Sequence, residues 1–128
     1  MVDDGARGSR GDGRLREEPV AAITNEGDAV VVQLAGELDL YNANVVRDAL
    51  LEVCARGPER LVVDLSKVEF LDSTTLGVLI EARSRLPNRR GFLLAAPGAE
   101  TRRALQVSGL DRHLAVHATL QDALAAPV

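Results

Sequence analysis

Hydrophobic and polar residues follow one another along the chain in blocks whose spacing predicts strands and helices in turn. Apolar runs at residues 20–24 and 29–34 flank the turn-forming residues 25–28, which predicts an antiparallel hairpin. Residues 61–65 are almost continuously apolar, as is typical of an interior strand. Two further short strands are predicted at residues 92–96 and 114–116.

Helical spacing of apolar residues appears between these strands. A first helix is predicted to begin near Asn42, to end at Gly57-Pro58, and to bury one series of side chains: Val45, Val46, Ala49, Leu50, Val53 and Cys54. Further helices are predicted at residues 74–86, 100–107 and 119–126. Gly109 suits a left-handed helix C-cap, and Thr119 with Asp122 resembles a capping box.

The order of these elements predicts the fold class. It runs strand, strand, helix, and then strand and helix repeated, which indicates a single layered α/β domain. We expect a mixed β-sheet with an N-terminal hairpin, parallel crossovers after it, and helices packed on the sheet. Residues 1–18 are rich in Gly, Arg and Asp and are expected to be a flexible tail, so the folded domain is expected at 19–128.

Composition narrows the function. Aromatic residues make up 2% of the 128 residues and the net charge is −4, which argues against a nucleic-acid partner. One Cys cannot form an internal disulfide, and no apolar segment is long enough to span a bilayer or to act as a secretory signal. We therefore expect a cytoplasmic protein with no membrane contact.

Recognisable catalytic patterns are missing from the sequence. There is no Gly-rich phosphate-binding loop, and Ser73 lacks the Gly pattern of a nucleophile elbow. His113 and His117 are interpreted as exposed histidines near the end of a sheet, and Cys54 as a small core residue. We expect no catalytic residue, no cofactor and no metal.

Two polar clusters, each directly after a strand, carry the remaining candidate chemistry. The first is the turn Asp39–Asn44, in which Asp39 or Asn42 is expected to cap the helix that follows. The second is Asp72-Ser73-Thr74-Thr75, between the interior strand and an apolar helix. Because loops that leave the carboxyl ends of parallel strands gather at one edge of a sheet, the two clusters are expected to lie side by side.

Ser73 has two interpretations. A short polar run before a helix is a cap by default, and the residues alone favour that interpretation. The same position suits a regulatory phosphate, since the helix N-terminus attracts an anion. A phosphate there would leave the fold intact but would repel a docked partner.

The order of motifs resembles the bacterial anti-sigma factor antagonists of the STAS domain family. The resemblance spans about residues 20–126 and rests on these stretches: Gly36-Glu37-Leu38-Asp39, Asn42, the strand at 61–65, Phe70-Leu71-Asp72-Ser73-Thr74-Thr75-Leu76-Gly77-Val78-Leu79, and Ser108-Gly109-Leu110. It implies a protein whose unmodified form binds an anti-sigma factor and so releases a sigma factor. The anti-sigma factor would be a serine kinase that inactivates the antagonist by phosphorylation, and a phosphatase would reverse this.

The resemblance also implies site residues. Ser73 would carry the phosphate, with Thr74 as the fallback, and Asp72 would position the hydroxyl. The expected partner-binding residues are Asp39, Tyr41, Asn42, Asp72, Ser73, Thr74, Thr75 and Gly77. Thr75 stands where the family often has Gly, which is expected to change partner choice or to slow phosphorylation. The alternatives are a STAS adaptor subunit of a larger signalling or transporter-associated complex, and a weak nucleotide-binding protein that no motif supports.

Overall fold

A computed structural model describes residues 17–128, which form one five-stranded sheet with helices on both faces. The strands lie in chain order: β1 (Val20–Glu26), β2 (Ala29–Leu38), β3 (Arg60–Leu71), β4 (Phe92–Ala95) and β5 (Ala115–His117). β1 pairs with β2 antiparallel, and every later pair is parallel. The predicted mixed sheet with an N-terminal hairpin is confirmed, whereas most of the predicted tail, residues 1–16, lies outside the described residues.

Four α-helices connect or follow the parallel strands: α1 (Ala43–Ala55), α2 (Ser73–Arg85), α3 (Ala99–Ser108) and α4 (Leu120–Ala125). The main core contains side chains of α1, α2 and α3 together with the strands. A smaller core on the other side contains α4, Val31, Val62 and Leu93. Two predicted helix ends are confirmed, because Gly109 is left-handed at φ 78° and the Thr119 side chain accepts a hydrogen bond from the Asp122 N–H.

The predicted end of the third strand at Leu65 is wrong, since β3 continues for six more residues to Leu71. Its register against β2 shifts twice, between the partners of Gln33 and Ala35 and again between those of Gly36 and Glu37. At each shift β3 carries one residue more than β2, as in a β-bulge. A bulge interrupts the alternation of inward and outward side chains, so the sequence pattern after Leu65 no longer resembles a strand.

The carboxyl ends of β2 and β3 lie level with each other. Leu38 is opposite Leu71, and the backbone N–H of Asp72 donates to the carbonyl of Leu38 at 3.0 Å. The turns that follow the two strands therefore start side by side, as the sequence predicted.

Helices α1 and α2 are joined on the same face of the sheet. The guanidinium of Arg47 donates two hydrogen bonds to the carboxylate of Glu81, at 2.8 and 2.7 Å. The thiol of Cys54 donates to the carbonyl of Ala82 at 3.3 Å, and burial raises the pKa of this thiol. Cys54 is 4% exposed, which confirms its prediction as a core residue.

Arg60 holds α4 against the sheet, a role that the sequence did not reveal. Its Nη1 donates to the carbonyl of Ala123 at 2.7 Å, and its Nε lies 3.5 Å from the carboxylate of Asp28. Arg60 is 8% exposed, so this ion pair compensates a largely buried charge. The contact links the first residue of β3 to a helix 63 positions later in the chain.

Candidate functional site

The junction between β3 and α2 consists of Asp72 alone. Asp72 has extended backbone angles, and its Oδ1 accepts hydrogen bonds from the Thr75 N–H at 3.1 Å and from the Thr75 hydroxyl at 3.4 Å. This confirms the predicted helix cap at this position. Ser73 is the first residue of α2 and is exposed, so its hydroxyl stands beside the positive end of the helix dipole.

Thr75 does not lie on the surface where the sequence placed it. Its side chain is 0% exposed and belongs to the interior beneath the cap, whereas Ser73 and Thr74 are exposed. The Thr75 side chain is therefore not accessible to a partner in the folded chain, and the expected contact at this position gains no support from the fold. The buried Thr75 hydroxyl donates to the Asp72 carboxylate, and Thr75 does not cover Ser73, which is exposed.

Gly77 lies on the exposed side of α2. A Cβ added there would have nothing within 4 Å, so nothing in the described fold requires glycine at this position. Glycine inside a helix destabilises it by roughly 0.5–1 kcal/mol relative to alanine. The flat surface that Gly77 leaves beside Ser73 is what a closely approaching partner would need.

The turn between β2 and α1 is held by its own side chains. Asn42 Oδ1 accepts from the Asp39 N–H at 2.9 Å, Asp39 Oδ1 accepts from the Tyr41 N–H at 3.0 Å, and Asn42 Nδ2 donates to the Glu37 carbonyl at 2.9 Å. Asn42 occupies the N-cap position of α1 but makes no side-chain bond to the helix. The predicted cap by Asp39 or Asn42 is therefore wrong, because both side chains bind the turn and the strand before it.

This turn presents apolar side chains to solvent. Tyr41 is 87% exposed, Leu40 67%, and Val45, in the first turn of α1, 51%. Phe70, near the end of β3, is 40% exposed. Val45 and Val46 were both predicted to be buried: the prediction is confirmed for Val46, at 0% exposure, and is wrong for Val45.

We name the exposed surface formed by both junctions the docking face: Asp39, Leu40, Tyr41, Asn42, Val45, Phe70, Asp72, Ser73, Thr74 and Gly77. It contains seven of the eight predicted partner-binding residues. Sequence reasoning did not propose Leu40, Val45 or Phe70 as contacts. The sequence did carry a signal for Leu40, because an apolar residue inside a polar turn indicates an exposed contact. For Phe70 there was no such signal, because its exposure depends on the bulges of β3.

The docking face is acidic around its apolar centre. Asp39 and Asp72 lie on it, and Glu37 and Glu69 are exposed beside it on β2 and β3. Lys67 is exposed between the two register shifts of β3 and is the basic residue of that strand nearest in sequence to this surface. Within residues 17–128, no group of three or more His, Cys, Asp or Glu side chains is arranged to hold a metal ion.

The two histidines lie away from this surface. His113 is exposed after α3, and His117 is half-buried in β5, whereas the docking face lies at the ends of β2 and β3. No helix within the described part of the chain is both long and apolar enough to cross a membrane.

Comparison with known proteins identifies the family. The family model described as the STAS domain matches residues 20–123. The anti-sigma-F factor antagonist RsfB of Mycobacterium tuberculosis is 36% identical over 102 residues, covering 80% of this chain and 84% of RsfB. The crystal structure of an anti-sigma factor antagonist from Mycobacterium paratuberculosis is 37% identical and superposes with a TM-score of 0.76, covering 80% of this chain and 88% of that chain.

A third relative has been solved in two modification states. SpoIIAA, a Bacillus cell fate determinant and anti-sigma factor antagonist, is 25% identical, and the alignments cover 80% of this chain and 93–96% of SpoIIAA. The TM-score is 0.65 for its unphosphorylated form and 0.58 for its phosphorylated form. The chain thus belongs to the STAS domain family, and its relatives in that family include bacterial anti-sigma factor antagonists such as RsfB and SpoIIAA.

Proposed function

We propose that the chain is an anti-sigma factor antagonist that binds an anti-sigma factor through the docking face and is inactivated by phosphorylation of Ser73. The observation that carries this proposal is the exposed Ser73 at the first position of α2, beside the turn before α1 that exposes Leu40 and Tyr41. The names of the relatives support the kind of partner. In this proposal the partner is a serine kinase, a phosphatase restores the antagonist, and the chain acts in the cytoplasm without catalysing a reaction.

Energetics favour a switch that changes binding and leaves the fold unchanged. A phosphate adds about −1.5 to −2 charges at neutral pH. On Ser73 it gains roughly 0.3–1 kcal/mol from the helix N-terminus, and repulsion by Asp72 costs about as much at an exposed site. In an interface, the same charge next to Asp39 and Asp72 costs several kcal/mol in desolvation and repulsion, which is about 100-fold or more in affinity.

The test uses tagged wild-type, Ser73→Ala and Ser73→Asp chains to capture proteins from the native cell lysate. Wild type and Ser73→Ala are expected to retain a kinase-like anti-sigma factor, identified by mass spectrometry, and Ser73→Asp is expected to lose it. Ser84→Asp is the matched control because Ser84 is exposed at the far end of the same helix. Incubation of the captured kinase with ATP should then place one phosphate on Ser73, while modification of Thr74 alone would move the switch to the fallback residue.

Equal capture by Ser73→Ala and Ser73→Asp would refute the phosphate switch. If every variant retained the same multi-subunit complex and that complex lacked a kinase, the chain would be an adaptor and Ser73 only the first residue of a capped helix.

A further inference from the structure

Arginine side chains gather at the end of the domain opposite the docking face. Because β3 and β4 are parallel, helix α2 must run back from the end of one strand to the start of the other. Its 13 residues span about 20 Å, which separates its last turn from Ser73. We name the exposed and half-exposed surface at this end the arginine edge: Arg56, Arg83, Arg85, Arg89 and Arg90.

Two contacts bring the segments of this edge together. The thiol of Cys54 donates to the carbonyl of Ala82 at 3.3 Å, which joins the last turns of α1 and α2. A Cβ added at Gly91 would collide with the carbonyl oxygen of Glu59, so the turn at residues 89–91 packs directly against the start of β3. The segments that carry the five arginines therefore meet at one edge of the domain.

Most of these arginines have no partner in the described part of the chain. Arg85 lies 3.5 Å from the carboxylate of Glu81, whereas the guanidinium groups of the other four form no ion pair or hydrogen bond there. The C-terminal end of the α2 dipole favours Arg83 and Arg85. Arg89 and Arg90 belong to no α-helix, so the described fold gives no reason for two adjacent charges at that turn.

The edge stays positive when its boundary is widened. In the segments 55–60 and 82–91, Glu59 is the only acidic residue. One more helical turn on each side adds Glu52 and Glu81 and no further arginine, which leaves five Arg against three Glu. Of these, Glu81 is already held by two hydrogen bonds from Arg47.

The β1–β2 hairpin brings two more carboxylates to the same end of the sheet. Asp28 is paired with the buried Arg60, which is not counted in the edge. Glu26 is exposed on the outer strand β1, three strands from β4, or about 14 Å. The turn that carries Arg89 and Arg90 is therefore far from both.

The chemistry of the edge selects an acidic protein segment over a nucleic acid. A guanidinium group binds carboxylates and phosphates through paired hydrogen bonds, so the partner is an anion. The chain has three aromatic residues: Tyr41 and Phe70 lie on the docking face and Phe92 is 1% exposed, so no ring on this edge can stack on a base. The net charge of −4 also repels a long polyanion that extends past the edge.

We propose that the arginine edge binds an acidic segment of a second protein, rich in Asp and Glu, while the docking face stays free. Because α2 separates the two surfaces by about 20 Å, both can be occupied at once, and the chain then joins two proteins. A phosphate on Ser73 lies farther away than the Debye length of about 8 Å at physiological salt, so it does not control this contact. The inference goes beyond the proposed function and does not depend on it.

The test measures binding of a fluorescein-labelled octaglutamate peptide to the purified full-length chain by fluorescence anisotropy at low salt. The variant is the double replacement Arg89→Gln/Arg90→Gln, in the exposed turn before β4. The control has the same charge change, Arg102→Gln/Arg103→Gln, at two exposed positions of α3. Both double variants should unfold at the wild-type urea concentration, because all four side chains are exposed.

Arg89→Gln/Arg90→Gln should bind the peptide about fivefold more weakly than wild type, as expected for the loss of two exposed ion pairs. The control and Ser73→Asp should bind it as wild type does, and added salt should weaken binding in every case. Amide chemical shifts of wild type should change at residues 83–90 during the titration and stay constant at residues 39–42.

Three results would overturn the proposal. The first is no binding of octaglutamate by wild type at low salt, and the second is an equal loss of affinity in the two double variants, which would show that only net charge matters. The third is tighter binding of a thymidine oligonucleotide of the same charge, which would assign the edge to nucleic acid. The assay contains no anti-sigma factor, so its failure is distinguishable from failure of the proposed function.

Discussion

The two strand-to-helix junctions of the docking face lie side by side but are built in opposite ways. At β3–α2 the Asp72 side chain binds forward into the helix, and the chain passes from strand to helix in one residue. At β2–α1 the Asn42 side chain binds backward to Asp39 and Glu37, and the chain turns before the helix begins. The first junction buries the side chain behind its cap, Thr75, and the second exposes Leu40 and Tyr41.

Under the proposed function, this difference separates two tasks. The forward cap fixes the backbone that carries Ser73 between the end of a strand and the start of a helix, where a modifying enzyme would find its hydroxyl exposed. The backward turn satisfies its own polar groups locally, which leaves its apolar side chains available for a partner. Modification and recognition can therefore be altered separately, and the following predictions use that separation.

The largest expected effect is on recognition, at the backward turn. Replacing Tyr41 with Ala should weaken capture of the proposed partner by about 30-fold, corresponding to about 2 kcal/mol for an exposed aromatic contact. The free energy of unfolding should change by less than about 0.5 kcal/mol, because Tyr41 is 87% exposed. Titration calorimetry with the captured partner and urea unfolding measure the two quantities. Val107→Ala, at a residue 79% exposed on α3, is the control and should alter neither.

Next in size is a loss of stability at the forward junction. Thr75→Gly should lower the free energy of unfolding by about 2 kcal/mol, because it empties a buried site at the start of a helix. Thr75→Ser keeps the hydroxyl and should fall between Gly and wild type in urea unfolding. Because the Thr75 side chain is buried, the rate of Ser73 phosphorylation should stay near that of wild type at temperatures where Thr75→Gly is folded. A much faster rate would show that this side chain does hinder the kinase.

A pair of polar replacements compares the two junctions directly. Asp72→Ala removes a helix cap and should lower the free energy of unfolding by about 1 kcal/mol. Asn42→Ala removes two bonds within the turn, one of them exposed, and should cost only about 0.5 kcal/mol. Asp72→Asn retains an acceptor at the cap and should stay close to wild type in thermal unfolding. The comparison fails if Asn42→Ala is the more destabilising of the two.

The smallest expected effect concerns the ion pair that joins α1 to α2. The hydrogen bond from Arg47 lowers the pKa of Glu81. A carboxylate with a lowered folded pKa stabilises the fold above its unfolded pKa, about 4.3, and this contribution is lost as the pH falls through the folded value. Glu81→Gln should therefore lower the Tm slightly at pH 7 and leave it unchanged at a pH where Glu81 is protonated. A Tm difference that did not depend on pH would point to lost packing, and Glu100→Gln on α3 serves as the control.

The sequence predicted most of the fold, because the order of apolar runs and the lengths of their connections limit the possible topologies. It also located both junctions, since each follows a strand whose neighbour is parallel. It failed where the answer depended on a contact between distant residues. The end of β3 was hidden by two register shifts against β2, and the pairing of Arg60 with Ala123 and Asp28 has no local signal.

Within the site, the sequence predicted the Asp72 cap correctly, but it did not predict the burial of Thr75 or the exposure of Val45, which are set by packing. The Asp72 cap follows from a helix that begins one residue later. The burial of Thr75 and the exposure of Val45 depend on which side of a helix meets the sheet, and a shift of one position along a helix changes that side. The Asn42 side chain could bind either the first N–H groups of α1 or the backbone of Glu37 and Asp39. The spacing of residues alone did not show which of the two it binds.

The two extra residues of β3 have a consequence for how this domain tolerates insertions and deletions during evolution. Removing one residue between Asp64 and Asp72 would either abolish one of the two bulges or carry each later side chain to the opposite face of the sheet, and in the second case Leu71 would leave the core. The exposed turn at residues 87–90 has no such constraint. We therefore expect length variation among homologues to accumulate there, while the span from Asp64 to Asp72 keeps its length, and an alignment of homologues with indels concentrated in that span would contradict this view.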